Sequence, residues 1–183
     1  MISLILFLLI IFLAFVFVFV AFLLTKLIFA IPIFFGAPFV PASLKNVKRM
    51  IELANLKPGE IIYDLGSGDG RLIIEAAKNY KAKAVGIEIN PLLVYFSRWK
   101  IKKLGLQDNI SVYQGNFFKK NFSDADVITL YLSQPALKHL EKKFLSELKP
   151  GTRIVSLSFT FNNIPFIKAH SEKPSIRLYQ IPG

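Results

Sequence analysis

The chain contains no cysteine, which removes a disulfide framework, a thiolate zinc site and a thiol nucleophile. It fits a reducing compartment. Histidine is nearly absent too. His139 lies in a lysine-rich stretch and His170 near the C-terminus, so no metal site is expected. Acid is scarce: 12 Asp and Glu against 23 Lys and Arg leave a net charge of +11. That balance calls for an anionic partner, and nucleic acid and a lipid surface both qualify. From Ile2 to Leu24 charge of either sign is missing, and Ser3 is the single polar residue.

At about 1.5 Å per residue, that apolar run crosses a hydrocarbon core of roughly 30 Å. No Lys or Arg precedes it, and it leaves through Leu24-Thr25-Lys26 without a small-residue cleavage pattern. It therefore reads as a retained anchor and not as a signal peptide. A core helix of that length would carry a polar stripe. Residues 1–26 are assigned to one transmembrane segment. Lys26, Lys45, Lys48 and Arg49 follow before the first acid, Glu52. The positive-inside rule then puts the rest of a single-pass chain on the cytoplasmic face, with the N-terminus outside. A mitochondrial inner membrane facing the matrix is the equivalent alternative, weakened by the missing Arg- and Ser-rich leader. With an anchor in place, the bilayer is preferred over nucleic acid as the partner of the positive charge.

Residues 27–42 are apolar but punctuated by Pro32, Gly36, Pro38 and Pro41, and are expected to form a linker at the membrane surface. Residues 43–183 form the domain. Ser43 is expected to cap a helix reaching about Leu56. Strands are expected at 61–65, 84–89, 110–113, 126–132 and 153–159, with short ones near 166–169 and 176–181. Helices are expected over 71–79, from Pro91 to about Leu104, and over 134–148. This alternation describes an α/β domain with a mostly parallel sheet covered on both faces.

The chemistry concentrates at the end of the first strand, in Asp64-Leu65-Gly66-Ser67-Gly68-Asp69-Gly70. In an open α/β sheet that is where ligands bind. Glycines let the backbone turn sharply, and the following helix start offers free N–H groups that suit a carboxylate. Asp64 and Asp69 can face a cationic group such as an ammonium. Glu88 ends the second strand and can accept from both hydroxyls of a ribose. Together they describe a pocket for a nucleoside joined to an amino acid. A dinucleotide fits less well: the glycine spacing is G-x-G-x-G, and two acids would repel a pyrophosphate. A plain glycine turn without ligand is the remaining alternative.

These residues resemble the class I, seven-strand, Rossmann-like methyltransferases that use S-adenosylmethionine. The resemblance implies that the loop of Asp64, Gly66, Ser67, Gly68, Asp69 and Gly70 holds the methionine part and that Glu88 holds the ribose. Asn116, in Gln114-Gly115-Asn116-Phe117, stands where the family usually has an Asp bound to the adenine amine. Its carbonyl can accept the same bond, or Asn116 is a turn residue. A narrower resemblance covers most of the chain. The apolar segment, Pro38-Phe39-Val40-Pro41-Ala42, the 64–70 loop, Glu88-Ile89-Asn90-Pro91-Leu92-Leu93-Val94 and Ser158-Phe159-Thr160-Phe161 are similar to the membrane-bound protein-lysine methyltransferases of the adenine nucleotide translocase and the ATP synthase c-ring protein. It implies a protein-lysine methyltransferase, with the segment before the first strand helping to form the active site. That role is carried to Val40, Pro41 and Ser43; a segment that merely packs is the alternative.

The substrate edge is expected at Tyr131-Leu132-Ser133-Gln134-Pro135. The Asn/Asp-Pro-Pro-Tyr run of adenine and glutamine methyltransferases is not there, which argues against a planar amide. Tyr131 and Ser133 are candidates for positioning an amine; a core tyrosine and a helix cap are their alternatives. Little follows the fifth strand that could form a lid, which suits a protein substrate closing the site itself. A membrane lipid or quinone substrate, and a non-catalytic membrane scaffold, are the competing functions.

Overall fold

The computed structural model describes residues 2–35 and 40–183, with side chains described over 5–26 and 40–183. The chain divides into two compact units, Met1–Pro38 and Phe39–Gly183. Among the described residues the first is a single helix, α1 (Ile2–Phe35). Within it Ile5–Lys26 has a mean hydropathy of 3.4 and buries none of its side chains. A helix this apolar has no stable home in water, and its length and composition suffice to cross a membrane.

The expected break after residue 26 does not occur there. α1 continues through Pro32 to Phe35, so 27–35 are helix and not linker. One proline removes a single backbone bond, and here it falls near the helix end, where the remaining bonds outweigh it. Gly36 and Pro38 lie outside the described residues.

The second unit follows from alternating patterns. α2 (Leu44–Ala54) buries Val47, Met50, Ile51, Leu53 and Ala54, one face at helical spacing. Ser43 caps it, its side chain accepting from Asn46 N at 3.2 Å, and Asn55 ends it in the left-handed region at φ 50°. Then come β1 (Ile61–Leu65), α3 (Arg71–Tyr80), β2 (Lys83–Glu88), α4 (Pro91–Lys103), β3 (Ile110–Gln114) and β4 (Val127–Leu130). α5 (Gln134–Glu147), β5 (Arg153–Leu157), β6 (Phe166–His170) and β7 (Lys173–Gln180) complete it. The seven strands form one sheet in the order β3-β2-β1-β4-β5-β7-β6. The first five are parallel; β7 runs antiparallel to β5 and β6.

Side-chain alternation along each strand separates two cores. Ile62, Ala84, Val112, Val127, Val155 and Leu178 join the buried residues of α2 and α3. Ile154 and its partner Tyr179 point the other way, towards α5. There the rings form a chain: Phe122 meets Phe144 at 6.0 Å, Phe144 meets Phe161 at 5.9 Å and Phe161 meets Tyr179 at 5.2 Å. β5 stops at Leu157, short of the expected 159, because Ser158 takes a left-handed φ of 76°.

Phe144 is fully buried at the centre of that ring chain. Phe144→Ala is expected to lower unfolding free energy by about 3–5 kcal/mol. Urea titration of the detergent-solubilised chain measures it.

Candidate cofactor and substrate site

The carboxyl ends of β2, β1 and β4 lie side by side, and Asp64, Glu88 and the loop of residues 66–70 stand at those ends. The loop after β1 is pinned to β2: Gly66 N and Ser67 N both donate to Ile87 O, at 2.9 and 3.1 Å. Gly66, Gly68 and Gly70 have φ of 78°, 54° and 80°, a backbone that side-chain-bearing residues rarely adopt. Gly86, unremarkable in the sequence, has the same importance for a different reason. A Cβ there would lie 2.6 Å from Ser67 Oγ and 2.8 Å from Ile73 Cδ1, so only glycine lets the loop and α3 close on β2.

Glu88 clasps this loop. Its Oε2 accepts from Gly68 N at 2.9 Å, and its Oε1 accepts from Asn90 N at 2.8 Å. Each oxygen retains a second acceptor position, so both can still take a hydroxyl. Asn90 in turn caps α4, accepting from Leu92 N at 3.0 Å.

Asp64 is buried beneath the loop, and its partner across the sheet is Thr129. Thr129 Oγ1 donates to Asp64 Oδ1 at 2.8 Å. Burial pushes the Asp64 carboxyl up to about 7; the threonine bond opposes the rise, and Glu88 and Asp69 add to it by repulsion. Asp69 behaves oppositely. Burial alone would raise it, but Arg71 and Lys100 draw it down to about 2. Arg71 grips it with Nε to Oδ1 at 2.9 Å and Nη2 to Oδ2 at 3.0 Å, and Lys100 Nζ reaches Oδ2 at 2.9 Å. Asp69 is expected from the sequence to face a cationic ligand; in the structure two internal cations already answer its charge.

Arg71 has a second task. Its Nη1 donates to Ala42 O at 2.6 Å, tying the segment before α2 to the glycine loop. Pro41 is exposed beside that tie, and Val40 is exposed as well. On the other side Tyr131 is half-buried against the core, and Ser133 occupies the N-cap position of α5. Gln134 holds the loop after β5, with Nε2 donating to Thr160 O at 2.8 Å and Oε1 accepting from Thr160 N at 3.3 Å. Asn116 caps a short helical turn, its side chain accepting from Phe118 N at 2.9 Å. Arg71, Lys100, Thr129 and Gly86 were missed by sequence reasoning, and Gln134 entered it only as part of the expected 131–135 edge. Thr129 alone carried a signal, as the one polar residue in Val127-Ile128-Thr129-Leu130.

The residues fit a ligand with an amino-acid end and a ribose. Ser67 Oγ is buried with no hydrogen-bond partner among the described residues, against Gly86 of β2. Three positive-φ glycines leave the loop's approach free of side chains.

Fold and site together define an S-adenosylmethionine-dependent methyltransferase. A family model described as the ANTKMT methyltransferase domain matches residues 64–168, and the chain belongs to that family. A protein-lysine N-methyltransferase of Saccharolobus islandicus is 45% identical over 123 residues, 67% of this chain and 76% of that protein. The adenine nucleotide translocase lysine N-methyltransferase of Mus musculus is 32% identical over 129 residues, 70% of this chain but only 56% of that protein. Among solved structures, one titled an RNA methyltransferase from Salinibacter ruber with S-adenosyl-L-homocysteine is 37% identical, with a TM-score of 0.70. The match covers 78% of this chain and 94% of that one.

The raised Asp64 fixes a pH dependence. The folded chain keeps this proton to about pH 7, whereas an unfolded aspartate releases it near 3.8. The folded state therefore binds more protons across that window, and Asp64 makes stability fall as pH rises through it, levelling off above about 7. Asp64→Asn is expected to flatten this part of the profile. Thermal melts of both proteins between these pH limits are the check.

Proposed function

We propose that this methyltransferase transfers its methyl group to a lysine of a membrane protein, while α1 holds the enzyme in the same membrane as its substrate. The observation that carries the reading is the 45% identity to a protein-lysine N-methyltransferase over the domain that contains the Asp64–Gly70 loop. The apolar Ile5–Lys26 helix supports the membrane setting. The basic residues following it, up to Arg49, favour a cytoplasmic domain in a single-pass topology.

S-adenosylmethionine supplies a methyl group on a positively charged sulfur. The residues around the crevice bind and orient. Asp64 faces the ammonium end, and the backbone of Gly66, Ser67, Gly68 and Gly70 lies against the amino-acid part. Asp69 keeps that backbone in place through Arg71 and Lys100. Glu88 takes the ribose hydroxyls. Asn116 sits towards the adenine edge, with its carbonyl shared between the helical turn and the base. Pro41, Tyr131 and Ser133 flank the approach of the lysine. That amine must be neutral to attack, against a reference pKa of about 10.4. The approach to a cationic centre lowers this value, so the amine releases its proton to solvent before the site closes and no dedicated base is required. Alignment and exclusion of water supply the rest.

A second reading, methylation of RNA, is favoured by the +11 charge and by the name of the Salinibacter structure. The two separate cleanly when the purified chain meets native membranes, RNA and methyl-labelled cofactor. The expected result is acid-stable label on lysine in the protein fraction. Label on RNA supports the second reading, label in lipid indicates a lipid or quinone substrate, and label in none indicates a scaffold.

Cofactor affinity follows Asp64. The ammonium selects the ionised carboxylate, so binding below pH 7 must first remove a proton from a group with a pKa of about 7. Affinity is expected to rise about tenfold per pH unit up to that point and then level. Asp64→Asn is expected to weaken binding at least about tenfold and to abolish the slope. Calorimetry from pH 5.5 to about 8 tests both, and an unchanged slope in the variant would remove Asp64 from the pocket.

A further inference from the structure

α4 is apolar on two sides. Val94, Ser97 and Ile101 face the domain and are buried. On the opposite side, at helical spacing, Leu92, Tyr95, Phe96 and Trp99 are 54%, 71%, 51% and 49% exposed. The outward residues of α2 and α5 include Lys45, Lys48 and Glu52, and Lys138, Lys142 and Ser146, the usual solvated kind. The α4 stripe runs into exposed Lys102 and Lys103, and the helix contains no acid. Lys103 Nζ stands 5.2 Å from the centre of the Trp99 ring, and Lys100 Nζ 5.3 Å from that of Phe96.

We propose that this face of α4 is a docking surface for an anionic lipid bilayer, a second membrane contact besides α1. Trp and Tyr, with an apolar body and a polar tip, favour the depth of the headgroups. Lysines at the end of the stripe answer lipid phosphates. An apolar stripe with a basic margin on one helix face is the pattern of helices that lie in that interface. A second copy of the chain is a poorer occupant, because two such faces would bring lysines together with no acid on either helix. The contact would also bear on the cofactor loop, since Lys100 on the same helix holds Asp69. The inference rests on the membrane setting proposed above and is independent of which substrate is methylated.

Trp99 is the only tryptophan, so selectively excited tryptophan fluorescence reports on this face alone. The full chain is placed in phosphatidylcholine nanodiscs with and without phosphatidylglycerol. Co-elution with the discs reads α1, and Trp99 emission reads α4. In phosphatidylglycerol discs the expected result is a blue-shifted emission, quenched by acyl-chain-brominated lipid and protected from acrylamide. A Lys102→Glu/Lys103→Glu variant should still co-elute but lose the shift and the lipid quenching. The proposal is overturned if Trp99 stays equally accessible to acrylamide in both discs and in detergent. It is also overturned if protection appears in detergent with rising protein concentration, which marks a second copy, or only on adding a candidate membrane-protein substrate, which marks a protein partner. Failure to co-elute with anionic discs overturns it together with the membrane setting.

Discussion

Glu88 accepts two backbone amides that no strand satisfies, those of Gly68 and Asn90. One amide belongs to the turn leaving β1 and the other to the start of α4. A single buried carboxylate at the end of β2 therefore ties the turn leaving β1 to the neighbouring strand and sets where α4 begins. Charge-assisted bonds of this kind are roughly twice as strong as neutral ones. The turn carrying Ser67, whose hydroxyl has no partner among the described residues, and the cap of α4 meet at that clasp. Gly86 permits it by leaving room where any side chain would stand.

The two acids of the loop show how neighbours divide similar chemistry. Asp64 is enclosed by strands and has only a neutral hydroxyl for help, so its charge is held back. Asp69 meets a guanidinium and an ammonium, so its charge is secured. The first holds its proton to about pH 7. The second makes a joint between the loop, α4 and the segment before α2.

Periodicity carried much of the fold. Alternating and helical apolar patterns located the strands and helices, because local chemistry and burial agree there, as where Pro91 opens α4. The misplacements have local causes. β5 ends early because Ser158 turns left-handed, and α1 runs past Pro32 because one lost bond does not end a long apolar helix. The acids and glycines of the site were legible because their spacing is local. The partners of Asp69 were not. Lys100 is 31 residues away and arrives only when α4 packs, and Arg71 looks like an ordinary first-turn residue until its guanidinium is placed. The stripe on α4 was hidden for a related reason: a helix apolar on two sides shows no clear period.

The bond from Arg71 to residue 42 ends on a peptide carbonyl and leaves the methyl of Ala42 uninvolved. Drift at position 42 is thus silent for this joint as long as the peptide keeps its direction, whereas replacing Arg71 unfastens two segments at once. Comparing sequences by eye would rank these positions by how much they vary. The physics ranks them by which atom is held, and at residue 42 that atom is common to all twenty amino acids.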